Sequence, residues 1–395
     1  MRLCMISLDA VARPDAERLL RLETLSALAQ EGVFCDNVRT VYPTLTYPIH
    51  TSLLTGCYPD RHGVGHNQPF QPDVPPAMRA WYWDARDIRV ATLHQAARAK
   101  GMDVASILWP VSGKNRAVRR NFPEVLPLPG ENAVAKMLRY ASPLWILRME
   151  ALYGKRRVSI QQPYLDDYAA LLCEKLYASR RPPDVLTVHL VDCDAMRHRY
   201  GVDSAEAHAA MGRLDARVAR IAAAVKRAGL WEDTLFCVVS DHGQMDAPEG
   251  VLLDAGLRAA CGARAQTLGM GAYIFSDDLA AAKETLLARR QEWKIAHVYE
   301  DAELRALHAP ENVRLAVEAE QGACFIDEWE QTHGEHGFGL HAPAARTLMW
   351  LAGPGVKRGF RLQEANLVDI APTLAKALGL ALPQAQGRAL TEAFI

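Results

Sequence analysis

Four short stretches of the chain carry side chains of the kind that hold divalent cations, and a fifth carries a hydroxyl that such cations would activate. The sharpest is Phe236-Cys-Val-Val-Ser-Asp241-His242-Gly243, where a buried-strand pattern delivers a carboxylate and an imidazole side by side, with a glycine permitting close backbone approach. Asp9 likewise follows the apolar run Leu3 to Leu8 directly. Alone it reads equally as a helix cap or turn residue. In Val191-Asp192-Cys-Asp194-Ala-Met-Arg-His198, Asp194 and His198 stand four apart and share a face if a helical turn begins there. Such a pair suits zinc, and equally a surface ion pair. Thr332-His-Gly-Glu-His336-Gly-Phe-Gly-Leu-His341 sets three histidines among glycines, the pattern of a loop holding at least one ligand, and spacing does not choose among them. Lastly, Tyr42-Pro-Thr-Leu-Thr46-Tyr-Pro-Ile-His50 feeds a short helix that Gly56 ends, so Thr44 or Thr46 sits near its N-terminus. An isolated threonine there is a cap. Beside metal candidates it is also a nucleophile, because a hydroxyl needs a base or a cation to activate it. Two cations about 4 Å apart would do so while neutralising an attacked phosphoryl group.

Positioning these groups requires strands that end together. Leu3 to Leu8 reads as a strand, followed by a helix with Leu19, Leu22, Leu25 and Leu28 on one face and Gly32 as its stop. A helix over Thr92 to Lys100, strands at Val104 to Leu108, Val185 to Val191 and Thr234 to Ser240, and a long helix from Asp203-Ser-Ala-Glu206 to Gly229 continue the alternation. Thr347 to Ala352 reads as a strand and Ile370 to Leu378 as a helix. The pattern is α/β with a mainly parallel sheet, a class that binds ligands beyond the carboxyl ends of its strands. Two regions break the rhythm: the Pro-rich run Gln68 to Pro76 with Trp81, Tyr82 and Trp83, and the stretch from about Ala247 to Asp327. Both read as insertions covering a site. The expected division is a catalytic core over 1–246 with a cap-forming insertion at about 68–180, an inserted cap over 247–327, and the rest of the core over 328–395. Ala135 to Tyr153, ending in Lys155-Arg-Arg157, reads as a core or cap helix with a solvated basic end in preference to a membrane-surface or subunit contact.

Composition narrows the function. The chain has 395 residues, 50% hydrophobic and 23% charged, enough for a large buried core. With 45 Lys and Arg against 46 Asp and Glu, there is no global field to gather nucleic acid, so no stable nucleic-acid complex is expected. The eight cysteines form no C-x-x-C pair and read as reduced thiols. The opening MRLCMISLDA has too short an apolar stretch for a signal peptide, and no run suggests a membrane span, so a cytoplasmic location is expected.

Taken together, Pro43-Thr-Leu-Thr46-Tyr-Pro-Ile-His50, Thr55-Gly-Cys-Tyr-Pro59-Asp-Arg-His62-Gly63 with Asn67, Asp194-x-x-x-His198, Ser240-Asp-His-Gly243, the His336-Gly loop and Gly353-Pro354 resemble the nucleotide pyrophosphatase/phosphodiesterase family of the alkaline phosphatase superfamily. The motifs run in the family's order across nearly the whole chain. The resemblance implies an α/β/α sandwich with a small inserted cap, two zinc ions and a small phosphodiester or nucleotide substrate. It implies that Asp194, His198 and His336 hold one zinc and that Asp9, Asp241 and His242 hold the other. His336 takes precedence over His333 and His341 because the family's ligand precedes a Gly and lies seventeen residues before the Gly of Gly353-Pro354. Thr46 is then the bridging nucleophile, Asn67 a donor to a non-bridging phosphoryl oxygen, and Tyr47 an aromatic for a nucleobase to stack on. The implied reaction is in-line attack by Thr46 on phosphorus, then hydrolysis of the phosphoryl-threonine by water.

Related chemistries share these motifs. A phosphonoacetate hydrolase has the same nucleophile and ligands and needs cations for a carboxylate, for which Lys114 and Arg116 are nearby in sequence. A phosphomonoesterase and a non-catalytic binding protein are the remaining alternatives. A sulfatase is disfavoured, because Thr46 lacks the C/S-x-P-x-R surroundings.

Overall fold

In the strand Arg2–Leu8 (β1), Cys4, Ile6 and Leu8 join one hydrophobic cluster while Leu3 and Met5 join another. A strand apolar on both faces must be covered on both, and this chain covers it with helices. Residues 1–395 are described in the computed structural model. The main sheet also contains Val33–Arg39 (β2), Val104–Ile107 (β3), Arg120–Phe122 (β4), Val185–Leu190 (β5) and Thr234–Ser240 (β6). Its order is Phe360–Arg361, β2, Arg346–Ala352, β6, β1, β5, β3, β4, with Ala365–Asn366 also on β2. From β6 through β4 every pairing is parallel, whereas Arg346–Ala352 runs antiparallel between β6 and β2. On one face lie the helices Glu23–Glu31, Tyr164–Tyr177 and Ala205–Arg227, which contribute residues such as Leu25, Leu172 and Val218. On the other lie Thr46–Thr55, Leu93–Ala99 and Ile370–Ala377, which contribute Leu53, Leu93 and Leu374. The result is an α/β/α sandwich.

The expected helix after Pro14 divides into Ala16–Leu19 and Glu23–Glu31. Turn hydrogen bonds from Arg21 and Leu22 to Arg18 and Leu19 carry the chain between them. The long helix starts at Ala205, with Ser204 rather than Asp203 as cap, its Oγ accepting from the Ala207 N–H at 3.1 Å.

Beyond β6 the chain builds a second sheet, antiparallel, in the order Ile295–Glu300, Leu315–Ala319, Gly271–Phe275, Arg264–Thr267. It has its own apolar cluster around Leu257, Ile274, Leu286 and Val317, backed by the helices Leu253–Cys261 and Leu279–Ala288. The Pro-rich stretch lies against this sheet: Phe70 stacks on Phe275 at 3.9 Å, and Arg79 pairs with Asp327 at 2.7 Å. Within 68–180, β3 and β4 belong to the main sheet and the helix Tyr164–Tyr177 packs on it, so that span is shared between core and covering segments. No helix is long and apolar enough to cross a membrane.

Candidate active site

Parallel register brings the first cluster together. Leu8 pairs with Ser240 across β1 and β6, so Asp9 and Asp241 leave the sheet side by side, about one strand spacing apart. His242 follows, and ligand atoms of Asp9, Asp241 and His242 all lie within 4.8 Å of one another, with the three side chains buried. Asp241 is anchored through Oδ1, which accepts from the backbone N–H groups of His242 at 2.7 Å and Ala10 at 3.2 Å. Its Oδ2 is left without a hydrogen-bond partner, as is Asp9 Oδ1. Gly243 allows the closeness expected of it: a Cβ there would stand 2.7 Å from the Ala12 Cβ.

The second cluster is assembled from a helix and a loop. Asp194 and His198 lie one turn apart on Asp192–Tyr200, with 3.3 Å between Asp194 Oδ1 and His198 Nε2. His336 completes the group within 4.8 Å. Its ring centroid is 4.3 Å from that of His242, so the two clusters adjoin. The backbone around His336 is pinned by Met270, whose N–H donates to the His336 carbonyl at 2.7 Å, and by Gly337, whose N–H donates to Thr44 at 3.2 Å. Gly337 has φ +86°, and a Cβ there would fall 1.8 Å from the Leu268 carbonyl oxygen. Only glycine fits both restrictions.

Thr46 opens the helix Thr46–Thr55, and its Oγ lies 3.2 Å from His242 Nε2. His242 Nδ1 is 3.2 Å from the Gly243 carbonyl, an acceptor, which places the proton on Nδ1 and leaves the Nε2 lone pair for the threonine O–H. Thr44 points elsewhere, its hydroxyl donating to the Phe338 carbonyl at 2.9 Å, and neither threonine side chain caps the helix. Asn67 reaches the same helix end, where its Oδ1 accepts from the Tyr47 N–H at 3.0 Å and its NH2 group remains a donor. Tyr47 is not brought to the site in the way a stacking residue requires. Its side chain is 0% exposed, in a cluster with Val64, Trp83 and Val111, and meets Trp81 at 5.3 Å, so no ring face is open to a base. Lys114 pairs with Asp84 at 3.1 Å, and Arg116 lines a separate cleft, so neither cation is delivered to Thr46.

Electrostatics tests whether a cation suits this arrangement. Burial drives the Asp9 carboxyl well above its ordinary range and Asp241 up to about 6, and it pushes His242 down to about 4 and His336 down to about 3. Carboxylates moving up while imidazoles move down describes a pocket crowded with lone pairs and short of positive charge. The unpartnered Asp9 Oδ1, Asp241 Oδ2 and His336 Nδ1 say the same. Leaving a buried carboxylate unpaired costs several kcal/mol, which coordination to a divalent ion reverses. The mixed nitrogen and oxygen donors fit zinc, and also manganese or iron.

Several supporting residues were not assigned from the sequence. His189, on β5, lies between two carboxylates, with Nε2 3.0 Å from Asp9 Oδ2, off the N–H axis, and Nδ1 3.2 Å from Glu124. Burial alone would lower its pKa, yet these two carboxylates hold it well above the usual value. Gln244 donates to Asp194 Oδ1 at 2.6 Å, and Glu335 stands 3.4 Å from His198 Nδ1. His50 sits 2.8 Å from the Thr46 carbonyl, steadying the first helical turn. A lone histidine inside Val185-Leu-Thr-Val-His-Leu was the available signal for His189; Glu124 offered none.

Comparison with known proteins adds an independent line. Residues 3–357 match the model of the type I phosphodiesterase / nucleotide pyrophosphatase family. A bis(5'-adenosyl)-triphosphatase enpp4 of Xenopus laevis is 22% identical over 402 residues, covering 96% of this chain and 78% of that one. Human ectonucleotide pyrophosphatase/phosphodiesterase family member 1 is 24% identical over 231 residues, 56% of this chain and 21% of that one. Among solved structures, murine ectonucleotide pyrophosphatase/phosphodiesterase 5, as an inactive threonine-to-alanine variant in complex with AMP, aligns over 100% of both chains with TM-score 0.77 and 17% identity. At that identity the structural likeness speaks for the fold.

Proposed function

The chain belongs to the type I phosphodiesterase / nucleotide pyrophosphatase family, metal-dependent hydrolases of phosphodiester and pyrophosphate bonds, and we propose that it cleaves a nucleotidic substrate through a phosphoryl-threonine formed on Thr46. The observation that carries this reading is the Thr46 hydroxyl at a helix N-terminus, 3.2 Å from His242 Nε2, which belongs to one of two adjoining groups of convergent ligand atoms. Asp9, Asp241 and His242 would hold one zinc ion, and Asp194, His198 and His336 a second. Bound there, such ions would lower the pKa of the attacking hydroxyl and offset charge on the phosphoryl and leaving oxygens.

The chain's own residues supply orientation. His242, with Nδ1–H turned to the Gly243 carbonyl, offers its single Nε2 lone pair 3.2 Å from Thr46 Oγ, so a cation held by that lone pair would stand beside the attacking hydroxyl. Asn67, tethered through Oδ1 to the Tyr47 N–H, presents its NH2 group to a non-bridging oxygen, a hydrogen bond that strengthens as charge builds in the transition state. Attack of Oγ on phosphorus breaks the bond to the first leaving group, and water then releases the second product and restores the hydroxyl. An adenylyl-containing substrate is supported by the bis(5'-adenosyl)-triphosphatase relatives and by the AMP held by the structural relative. With Tyr47 buried, the half-buried Trp81 and Tyr82 are the aromatics of this segment left to receive a base.

The test is the ratio of kcat/KM for bis-p-nitrophenyl phosphate to that for p-nitrophenyl phosphate on zinc-loaded protein. A strong diester preference is expected. A monoester preference, or inactivity on both with hydrolysis of phosphonoacetate, would overturn it.

A further inference from the structure

We propose that the face formed by the helices Ala133–Tyr140 and Pro143–Tyr153, with the cationic cleft beside them, docks onto an anionic lipid bilayer. This face stands apart from the catalytic reading and shares no residue with either ligand cluster.

Exposed apolar side chains are concentrated here. Eight of the molecule's fifteen exposed large hydrophobics fall between Leu126 and Tyr164. The helix Pro143–Tyr153 turns Ile146 and Met149 inward to the core, yet its outer side is also apolar: Leu144 is 83% exposed, Leu147 51% and Leu152 57%. Leucines exposed around a cation, Arg148, on one helix face suit an interface where acyl chains lie beneath charged headgroups. The helix packs on the core and its basic end at Lys155 and Arg156 is exposed, as its sequence suggested; the exposed leucines are an addition to that reading.

Charge identifies what covers it. Leu144, Arg148 and Leu152, four apart, line a cleft of about 1310 Å³ in which eight of 23 lining residues are Lys or Arg and Asp103 is the sole acid. Asp103 is taken by Arg120 at 3.1 Å, and Lys114 is taken by Asp84. Arg116, Arg148, Lys175, Arg180 and Arg181 form no ion pair, on a chain whose formal charge is -1. A nucleic acid would satisfy these cations and leave the leucines in water. An apolar protein partner would cover the leucines and bury unpaired cations at a large desolvation cost. Lipid phosphates with acyl chains beneath them satisfy both. Eleven residues of helix span about 16 Å, too short to cross a hydrocarbon core of about 30 Å but suited to lying in its interface.

The full chain is tested by flotation with vesicles of phosphatidylcholine alone and vesicles containing one-third phosphatidylglycerol. Binding to the mixed vesicles alone is expected, weakening with salt. Partitioning should fall about fivefold for each cation removed in Arg148→Gln, Arg180→Gln and Arg181→Gln. It should fall about tenfold for each of Leu144→Ser and Leu147→Ser. Hydrolysis of a soluble diester should be unchanged in all of them, which reports correct folding. The proposal is overturned by absence of vesicle binding, by vesicle binding that ignores the leucine changes and is matched on heparin, or by a dimer at sedimentation equilibrium that Leu144→Ser dissolves.

Discussion

The two ligand clusters of the candidate active site use similar side chains on unlike supports. Asp9, Asp241 and His242 hang from the ends of adjacent parallel strands and are almost wholly buried; the Asp241 carboxylate is fixed by two backbone N–H groups and that of Asp9 faces His189. Asp194 and His198 lie on a helix with their side chains 16% and 32% exposed, and His336 arrives from a loop held by the antiparallel domain. Strand ends in a sheet core cannot shift without breaking ladder hydrogen bonds, whereas a helix turn and a loop can. The first cluster is preorganised and pays for it with crowded, desolvated lone pairs; in the second, His336 shares that crowding while Asp194 and His198 balance each other. There, burial alone would raise the Asp194 carboxyl and lower His198, but their mutual attraction, with Glu335, wins and holds Asp194 down and His198 up. Site precision and site strain thus come from the same source, the rigidity of the strand ends.

The largest effect is expected at the atom both clusters serve. Thr46→Ala should lower kcat/KM by about 10⁴-fold or more while leaving metal content intact, and Thr46→Ser should recover much of it. A loss of metal in Thr46→Ala would show the threonine to be a support rather than the nucleophile. Next in size, Asp241→Asn and His198→Ala should each remove one metal equivalent and at least a hundredfold in rate. They should differ in stability: metal-free Asp241→Asn should melt no lower than the metal-free parent, since it removes a charge that burial disfavours. If Asp241→Asn melts far lower, the strained character assigned to the strand-end cluster is wrong. The smallest effect tests the shell beneath it. Glu124→Gln should weaken metal binding at that cluster by about 10 to 100-fold in a chelator competition, with kcat at saturating metal within a few-fold. Equal weakening of both equivalents would erase the distinction between the clusters.

Much of the core was legible because its period is local. Leu3 to Leu8, Val185 to Val191 and Thr234 to Ser240 announce buried parallel strands, and they place Asp9, Asp194 and Asp241 near carboxyl ends before any partner is known. The split of the first helix, the pairing of Arg79 with Asp327 and the antiparallel sheet over Arg264–Ala319 were not legible, since they depend on contacts between residues far apart in the chain. Tyr47 shows the limit most directly. Its position beside Thr46 suggested a stacking surface, and Trp81, some thirty residues on, takes that surface away.

By itself the sequence determined which residue types stand at which strand ends and, through the resemblance its motifs carry, pointed to Thr46 as nucleophile and His336 as ligand. Tertiary structure alone decided that the Thr46 hydroxyl lies against His242 while that of Thr44 donates to Phe338, that Gly337 takes a left-handed position with no room for a Cβ, and that Glu124 holds His189 against Asp9. The physical reason is range. Backbone preference and hydrophobic period act over a few residues, whereas a lone pair's direction is set by whichever distant group packing brings within about 3 Å.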